Sequence, residues 1–329
     1  MLALSKRDIR ELVSMREAVD LMKTAFLELS EGRAVVPLRS SVEVMPERAT
    51  TLLMPAFMPG IHALGFKVVS IFQDNPAKGL PTAVAMVCMI DAGTGEPTAL
   101  LNGTYLTALR TGAVSGASSE LMAREDARKL VVIGAGAQGV TQAAAVCAVR
   151  DIDEITVVYR SEESWERFRG AIDEDWPDLR ERLTGTTEAE GAVGAADIVC
   201  LATTSTKPVF DDAWVKDGTH VSGVGSFTPE MQEAPAAFVA RARVVLDMKE
   251  HALEEAGDLI VPLREGLISE DHIVGELGDV VAGRVRGRES EAEVTFFKSV
   301  GNAVQDMTVG NFIVEQARER GVGQEINLD

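Results

Sequence analysis

The segment Gly134-Ala135-Gly136-Ala137-Gln138-Gly139 constrains this chain more than any other feature, because of what flanks it. It follows the apolar run Leu130-Val131-Val132-Ile133 and opens an alanine-rich stretch, residues 137–149, that reads as a helix. A second apolar run, Glu154 to Tyr159, completes a strand–helix–strand unit. Glycine-rich turns are common, but this context suits a dinucleotide. Gly134 makes the tight turn, Gly136 lets backbone approach a pyrophosphate, and Gly139 lets helix and strand pack closely. The helix N-terminus, from Ala137 and Gln138, offers unpaired N–H groups and a positive dipole end. At the end of the second strand an NAD enzyme usually carries Asp or Glu. Here Tyr159-Arg160-Ser161 stands instead, and a guanidinium with a hydroxyl suits a 2′-phosphate. NADP(H) is therefore favoured over NAD(H); the plainer alternative makes Arg160 a solvated surface residue.

A chain of 329 residues exceeds the usual size of one core, so two domains are expected. After the glycine turn, strands at 197–203, 219–225 and 243–248 alternate with helical or mixed segments, the pattern of a parallel sheet covered on both faces. Before it the texture differs. A helix over 14–31, with Ser14 as N-cap, precedes strand-like runs between residues 35 and 101, and a small-residue helix follows over 104–123. The stretch after Gly301 is helical again. The expected fold is α/β: a doubly wound Rossmann sheet over 126–301, inserted after an α+β domain over 1–125 that a returning helix, 302–329, completes.

A net charge of −19, from 32 basic and 51 acidic residues, argues against nucleic acid and anionic membrane surfaces as partners. Cys88, Cys147 and Cys200 sit in apolar surroundings without Cys-x-x-Cys spacing and read as buried thiols. The N-terminal residues lack signal-peptide order, and the longest apolar run is too short to span a bilayer, so a reducing cytoplasm is expected. None of the four histidines stands at ligand spacing from another ligand, and no metal is expected.

Three charges stand where apolar residues belong. Period-two alternation in the run 63–72 puts Lys67 on the face of Val69 and Ile71. A lysine there is costly to bury unless its charge is used; the alternative is an edge lysine reaching water. Arg110 lies among Leu106, Thr107, Ala113 and Val114 on a helix, where a guanidinium needs a buried anion, from the protein or from a substrate. Arg39, in VVPLRSSVEV, is the third candidate, although an exposed strand arginine would look the same.

The runs GFKVVSIFQDNPAKGLPT, DAGTGEPTALLNGTYLTALRTGAVSG and VVIGAGAQG strongly resemble the ornithine cyclodeaminase/mu-crystallin family, and GVGSFTPEMQE, EEAGDL, ELGDVVAG and FFKSVGNAVQD agree with it. The resemblance runs end to end. It implies a homodimer whose first domain binds substrate and dimerises. It implies that Arg39, Lys67 and Arg110 grip the carboxylate of a small imino or amino acid, with Arg110 also against the cofactor. Thr82 would lie near the nicotinamide, Tyr159-Arg160-Ser161 would hold a 2′-phosphate, and Ala202, Thr203, Thr204, Val224, Lys298, Ser299 and Gly301 would line the rest of the cofactor. The family's cyclodeaminases carry an aspartate where this chain has Phe227, which places it with the ketimine reductases.

On that resemblance the expected reaction is hydride transfer to a C=N carbon beside a carboxylate. Arg110 and Arg39 clamp the carboxylate, and Lys67, its pKa lowered by apolar neighbours and a guanidinium, supplies the proton. The alternatives are a cyclodeaminase of ornithine or lysine that releases ammonia, and a non-catalytic crystallin-like binding protein.

Overall fold

The structure, a computed structural model, describes residues 1–327 and divides into two compact units. The first is Met1–Arg110 with the chain from Asn302 onward; the second is Thr111–Gly301. The division falls inside the helix Gly103–Met122 rather than after residue 125.

The first unit holds a seven-stranded sheet in the order Gln324–Glu325, Leu2–Leu4, Pro97–Asn102, Ala83–Ile90, Ala63–Phe72, Ala49–Met58, Ser40–Val44. All neighbours are antiparallel except Leu2–Leu4 with Pro97–Asn102. The helix Ala303–Arg320 lies on it and beside Met15–Ser30, whose N-cap is Ser14 in a capping box with Glu17. The helix expected over 302–329 ends at Arg320, where Gly321 caps it at φ +66°, and Gln324–Glu325 is instead a strand paired with Leu2–Leu4; residues 328–329 lie outside the described residues. Alternation decides the faces. Ala63, Gly65, Lys67 and Val69 are buried, and a Cβ on Gly65 would stand 2.9 Å from the Met307 sulfur, so this face meets the helix. The opposite face carries Leu53, Val68 and Met86 in register, with Val84 beside them.

The second unit is an eight-stranded, wholly parallel sheet. Its order is Ile273–Glu276, Arg243–Leu246, Thr295–Lys298, His220–Gly223, Ile198–Leu201, Lys129–Ile133, Glu154–Val158, Leu183–Thr186. The chain runs outward from Lys129–Ile133 through two strands, then returns to the other side at Ile198–Leu201. That reversal is a topological switch point, where doubly wound sheets bind ligands beyond the strands' carboxyl ends. Val131, Ile133, Val199, Leu201, Val221, Val244 and Leu246 fill the core with Phe238, whose ring meets Phe210 and Phe296 edge-on at 5.2 and 5.5 Å. Fully burying each such side chain contributes about 1.5–3 kcal/mol. The small residues of Gly103–Met122 have a reason: a Cβ on Gly112 would lie 2.5 Å from the Thr141 backbone. Among the described residues no helix is long and apolar enough to cross a membrane.

Candidate active site

In the first unit Lys67 and Arg110 converge on one carboxylate. The Lys67 Nζ donates to Asp306 Oδ2 at 2.7 Å, and the Arg110 Nε donates to Oδ1 at 3.1 Å. Lys67 is 1% exposed and Asp306 is 0% exposed, so both charges are out of water. The start of the helix aims Asp306. Asn302 caps it by accepting from the Val304 N–H at 3.2 Å, and Gln305 reaches back to the Asn302 N–H at 3.1 Å. The same Gln305 oxygen accepts from Arg110, so the cap also fixes the guanidinium. Arg39 stands half-buried just ahead of Ser40–Val44, near enough for its charge to act on Lys67.

Two buried cations thus face a single carboxylate, an imbalance that costs stability unless another anion is expected. Two donors nearby, Gln305 Nε2 and Asn302 Nδ2, are buried without a partner in the protein. Burial and the Arg110 charge pull the Lys67 pKa down to about 7, against the opposing pull of Asp306. The cluster can hold a small anion and exchange a proton near neutrality. Asp306 was not legible in the sequence, although a buried anion for Arg110 was; its signal is a carboxylate among residues 303–310, all of which are buried. Thr82 lies half-buried in the turn before Ala83–Ile90, its carbonyl accepting from the Phe72 N–H at 2.8 Å.

In the second unit the glycines behave as the motif requires. Gly134 has φ +115°, and a Cβ there would meet the Ala202 carbonyl at 2.5 Å. At Gly139 a Cβ would meet the Gly134 carbonyl at 2.2 Å, so the helix sits tight on the turn. Gly136 instead faces open space. It is the N-cap of Ala137–Cys147 and makes no side-chain cap, which leaves the first N–H groups, from Ala137 and Gln138 on, for an outside acceptor. An open cradle, an uncapped helix N-terminus and a switch point together fit a dinucleotide pyrophosphate. Arg160 is exposed at the end of Glu154–Val158, while Ser161 caps the next helix by accepting from the Ser164 N–H at 3.3 Å. Tyr159 stacks on Trp165 at 5.7 Å and donates to Glu162 at 2.5 Å.

The remaining expected cofactor residues gather at the carboxyl ends of neighbouring strands. Ala202, Thr203 and Thr204 follow Ile198–Leu201, with the Ala202 N–H on the Ile133 carbonyl, and Val224 follows His220–Gly223. Asp247 collects the loop after Thr295–Lys298, accepting from Ser299 Oγ at 2.7 Å and Gly301 N–H at 2.8 Å. Lys298 itself is fully buried, its Nζ 3.1 Å from Asp258. Phe227 is half-buried against the apolar core, where it offers no carboxylate.

The sequence matches the model of the ornithine cyclodeaminase/mu-crystallin family over residues 1–321. It is 43% identical to a Delta(1)-pyrroline-2-carboxylate reductase of Bacillus cereus over 329 residues, all of both chains. Its structure is similar to that of Thermococcus litoralis Delta(1)-pyrroline-2-carboxylate reductase in complex with NADH and L-proline, at TM-score 0.94 and 40% identity over 99% of this chain and 100% of that one. It is also similar to an archaeal alanine dehydrogenase dimer with bound NAD, at TM-score 0.91 and 32% identity over 100% and 99% of the two chains. Charged cluster, glycine turn and whole-length likeness agree: the chain belongs to the ornithine cyclodeaminase/mu-crystallin family.

Proposed function

We propose that the protein is a nicotinamide-dependent imino acid reductase acting on a cyclic ketimine carboxylate of the Δ1-pyrroline-2-carboxylate kind. The carrying observation is the buried excess of positive charge at Lys67 and Arg110 over Asp306. In this reading Arg110, with Arg39, binds the substrate carboxylate, which supplies the missing anion and orients the ring. Lys67 gives its proton to the ring nitrogen, making the neighbouring carbon electrophilic, and its lowered pKa lets it do so near neutrality. Asp306 keeps Lys67 and Arg110 aimed. The bound dinucleotide supplies the hydride. The turn at Gly134, Gly136 and Gly139, with Ala137 and Gln138, holds its pyrophosphate; Ala202, Thr203, Thr204, Val224, Lys298, Ser299 and Gly301 complete its surroundings in the second unit. Arg160, exposed at the second strand end, favours NADPH over NADH.

Phe227 argues against cyclodeamination, because hydrocarbon cannot accept a proton from a substrate amine. The lysine buried beside Arg110, its pKa lowered to about 7 by burial, favours turnover over binding alone. We also propose a homodimer formed through the open sheet face, where Leu53, Val84 and Met86 are 40%, 48% and 40% exposed.

The test is a panel of preformed cyclic ketimines, and of oxo acids with ammonia, followed by nicotinamide absorbance with NADPH and NADH; ammonia release from ornithine is measured alongside. Rapid cofactor oxidation with the cyclic imines and no ammonia from ornithine is expected. Ammonia release without net redox change would contradict it.

A further inference from the structure

A second group of buried charges lies in the second unit. The Glu233 carboxylate is wholly buried and ties together two loops at the strands' carboxyl ends. Its Oε1 accepts from the Thr203 N–H at 2.6 Å, in the loop after Ile198–Leu201. Its Oε2 accepts from Gly225 and Ser226 N–H at 2.7 and 3.1 Å, in the loop after His220–Gly223. The fit is close: a Cβ on Gly225 would meet the Thr203 carbonyl at 2.2 Å and Glu233 at 2.5 Å. Asp258 holds the Glu233 segment in turn, accepting from the N–H groups of Glu233 and Ala234 at 2.7 and 2.9 Å, and faces Lys298 at the end of a third strand.

This group is costly. Burial pushes the Glu233 carboxyl up to about 7, with Lys298 pulling it back and Asp258 adding to the rise. An apolar cluster of the same volume would hold the sheet at least as well. What it would not do is fix the backbone of two loops at once. Those loops follow strands on the far side of the switch point from the strand that feeds the glycine turn. In a doubly wound sheet that half takes the second mononucleotide.

We infer that Glu233 is a positioning residue for the nicotinamide half of the cofactor, clamping the Thr203 and Gly225–Ser226 loops into the shape that half requires, with Asp258 and Lys298 holding Glu233 in place. The inference rests on the dinucleotide reading of the second unit. Glu233→Gln tests it, because the amide leaves one acceptor oxygen and turns an NH2 toward the other loop's N–H groups. Direct binding of NADPH, NADH and ADP is measured by fluorescence or calorimetry on the full-length protein, without turnover. ADP carries the adenine half and the diphosphate alone. The variant should bind the reduced dinucleotides about tenfold more weakly, the effect of one or two lost hydrogen bonds, and bind ADP as the wild type does. Unchanged dinucleotide affinity, or equal weakening of ADP, overturns the inference. A wild type that binds neither dinucleotide overturns the cofactor reading itself. Should Glu233→Gln not fold, amide exchange on the wild type decides. The Thr203, Gly225 and Ser226 amides should be slow in the free protein and slower with NADH but not with ADP; exchange as fast as in exposed loops overturns the clamp.

Discussion

Lys67 was legible at the level of one residue, because a lysine in a strand apolar on both faces stands out. Its partner was not. Asp306 lies in two helical turns buried all round, so no polar stripe marks it, and Glu233 sits in an irregular stretch without periodicity. The pH dependence follows from Lys67. Its pKa is lowered to about 7, so the protonated form is lost as pH rises through that value. Imine reduction should therefore decline above about pH 7, and the reverse oxidation of the amino acid, which needs the free amine, should rise over the same range. Lys67→Met should remove that limb from the profile. Arg160→Ala should erode a preference for NADPH by about ten- to hundredfold, one charge-assisted contact being lost. Competitive titration checks this, and NADH binding more tightly than NADPH to the wild type would contradict the assignment. Asp306→Asn should cost stability, up to about 3–5 kcal/mol, because the buried Arg110 then faces no carboxylate while Lys67 sheds its proton. Chemical denaturation would read that loss.

Among the elements, those with strong period were readable and the short ones were not. The helix Met15–Ser30 begins at the expected cap, and the run 63–72 is the strand Ala63–Phe72. Leu183–Thr186, Ile273–Glu276 and Thr295–Lys298 have four residues each, too few for alternation to show. Thr295–Lys298 nevertheless occupies the interior of the sheet, between Arg243–Leu246 and His220–Gly223, a position only tertiary pairing could assign. The glycine turn was readable because its chemistry is local. Gly139→Ala tests it: the new methyl meets the Gly134 carbonyl at 2.2 Å, so the helix must move off the turn. Loss of NADPH binding by at least tenfold is expected in fluorescence titration, and retained affinity would show that the turn does not need close packing there.

The chain comprises a unit with a mixed sheet and the charged cluster and a unit with a parallel sheet and the glycine turn, each with its own core. The division inside Gly103–Met122 was not legible, since one continuous helix serves both units. Light scattering at micromolar concentration should give about twice the chain mass of 35.2 kDa. Met86→Glu, which charges the open sheet face, should yield the monomer. The central claim is that Lys67 and Arg110 serve an imino acid carboxylate rather than the fold. It is tested most directly by steady-state reduction of Δ1-pyrroline-2-carboxylate with NADPH by the wild type, Lys67→Met and Arg110→Met, beside each protein's thermal midpoint. Methionine keeps the bulk, so a cavity does not confound the comparison. The account predicts kcat lower by about a hundredfold or more for Lys67→Met, and chiefly a raised KM for Arg110→Met, in proteins that still fold. Near-normal kcat/KM in either folded variant would contradict it.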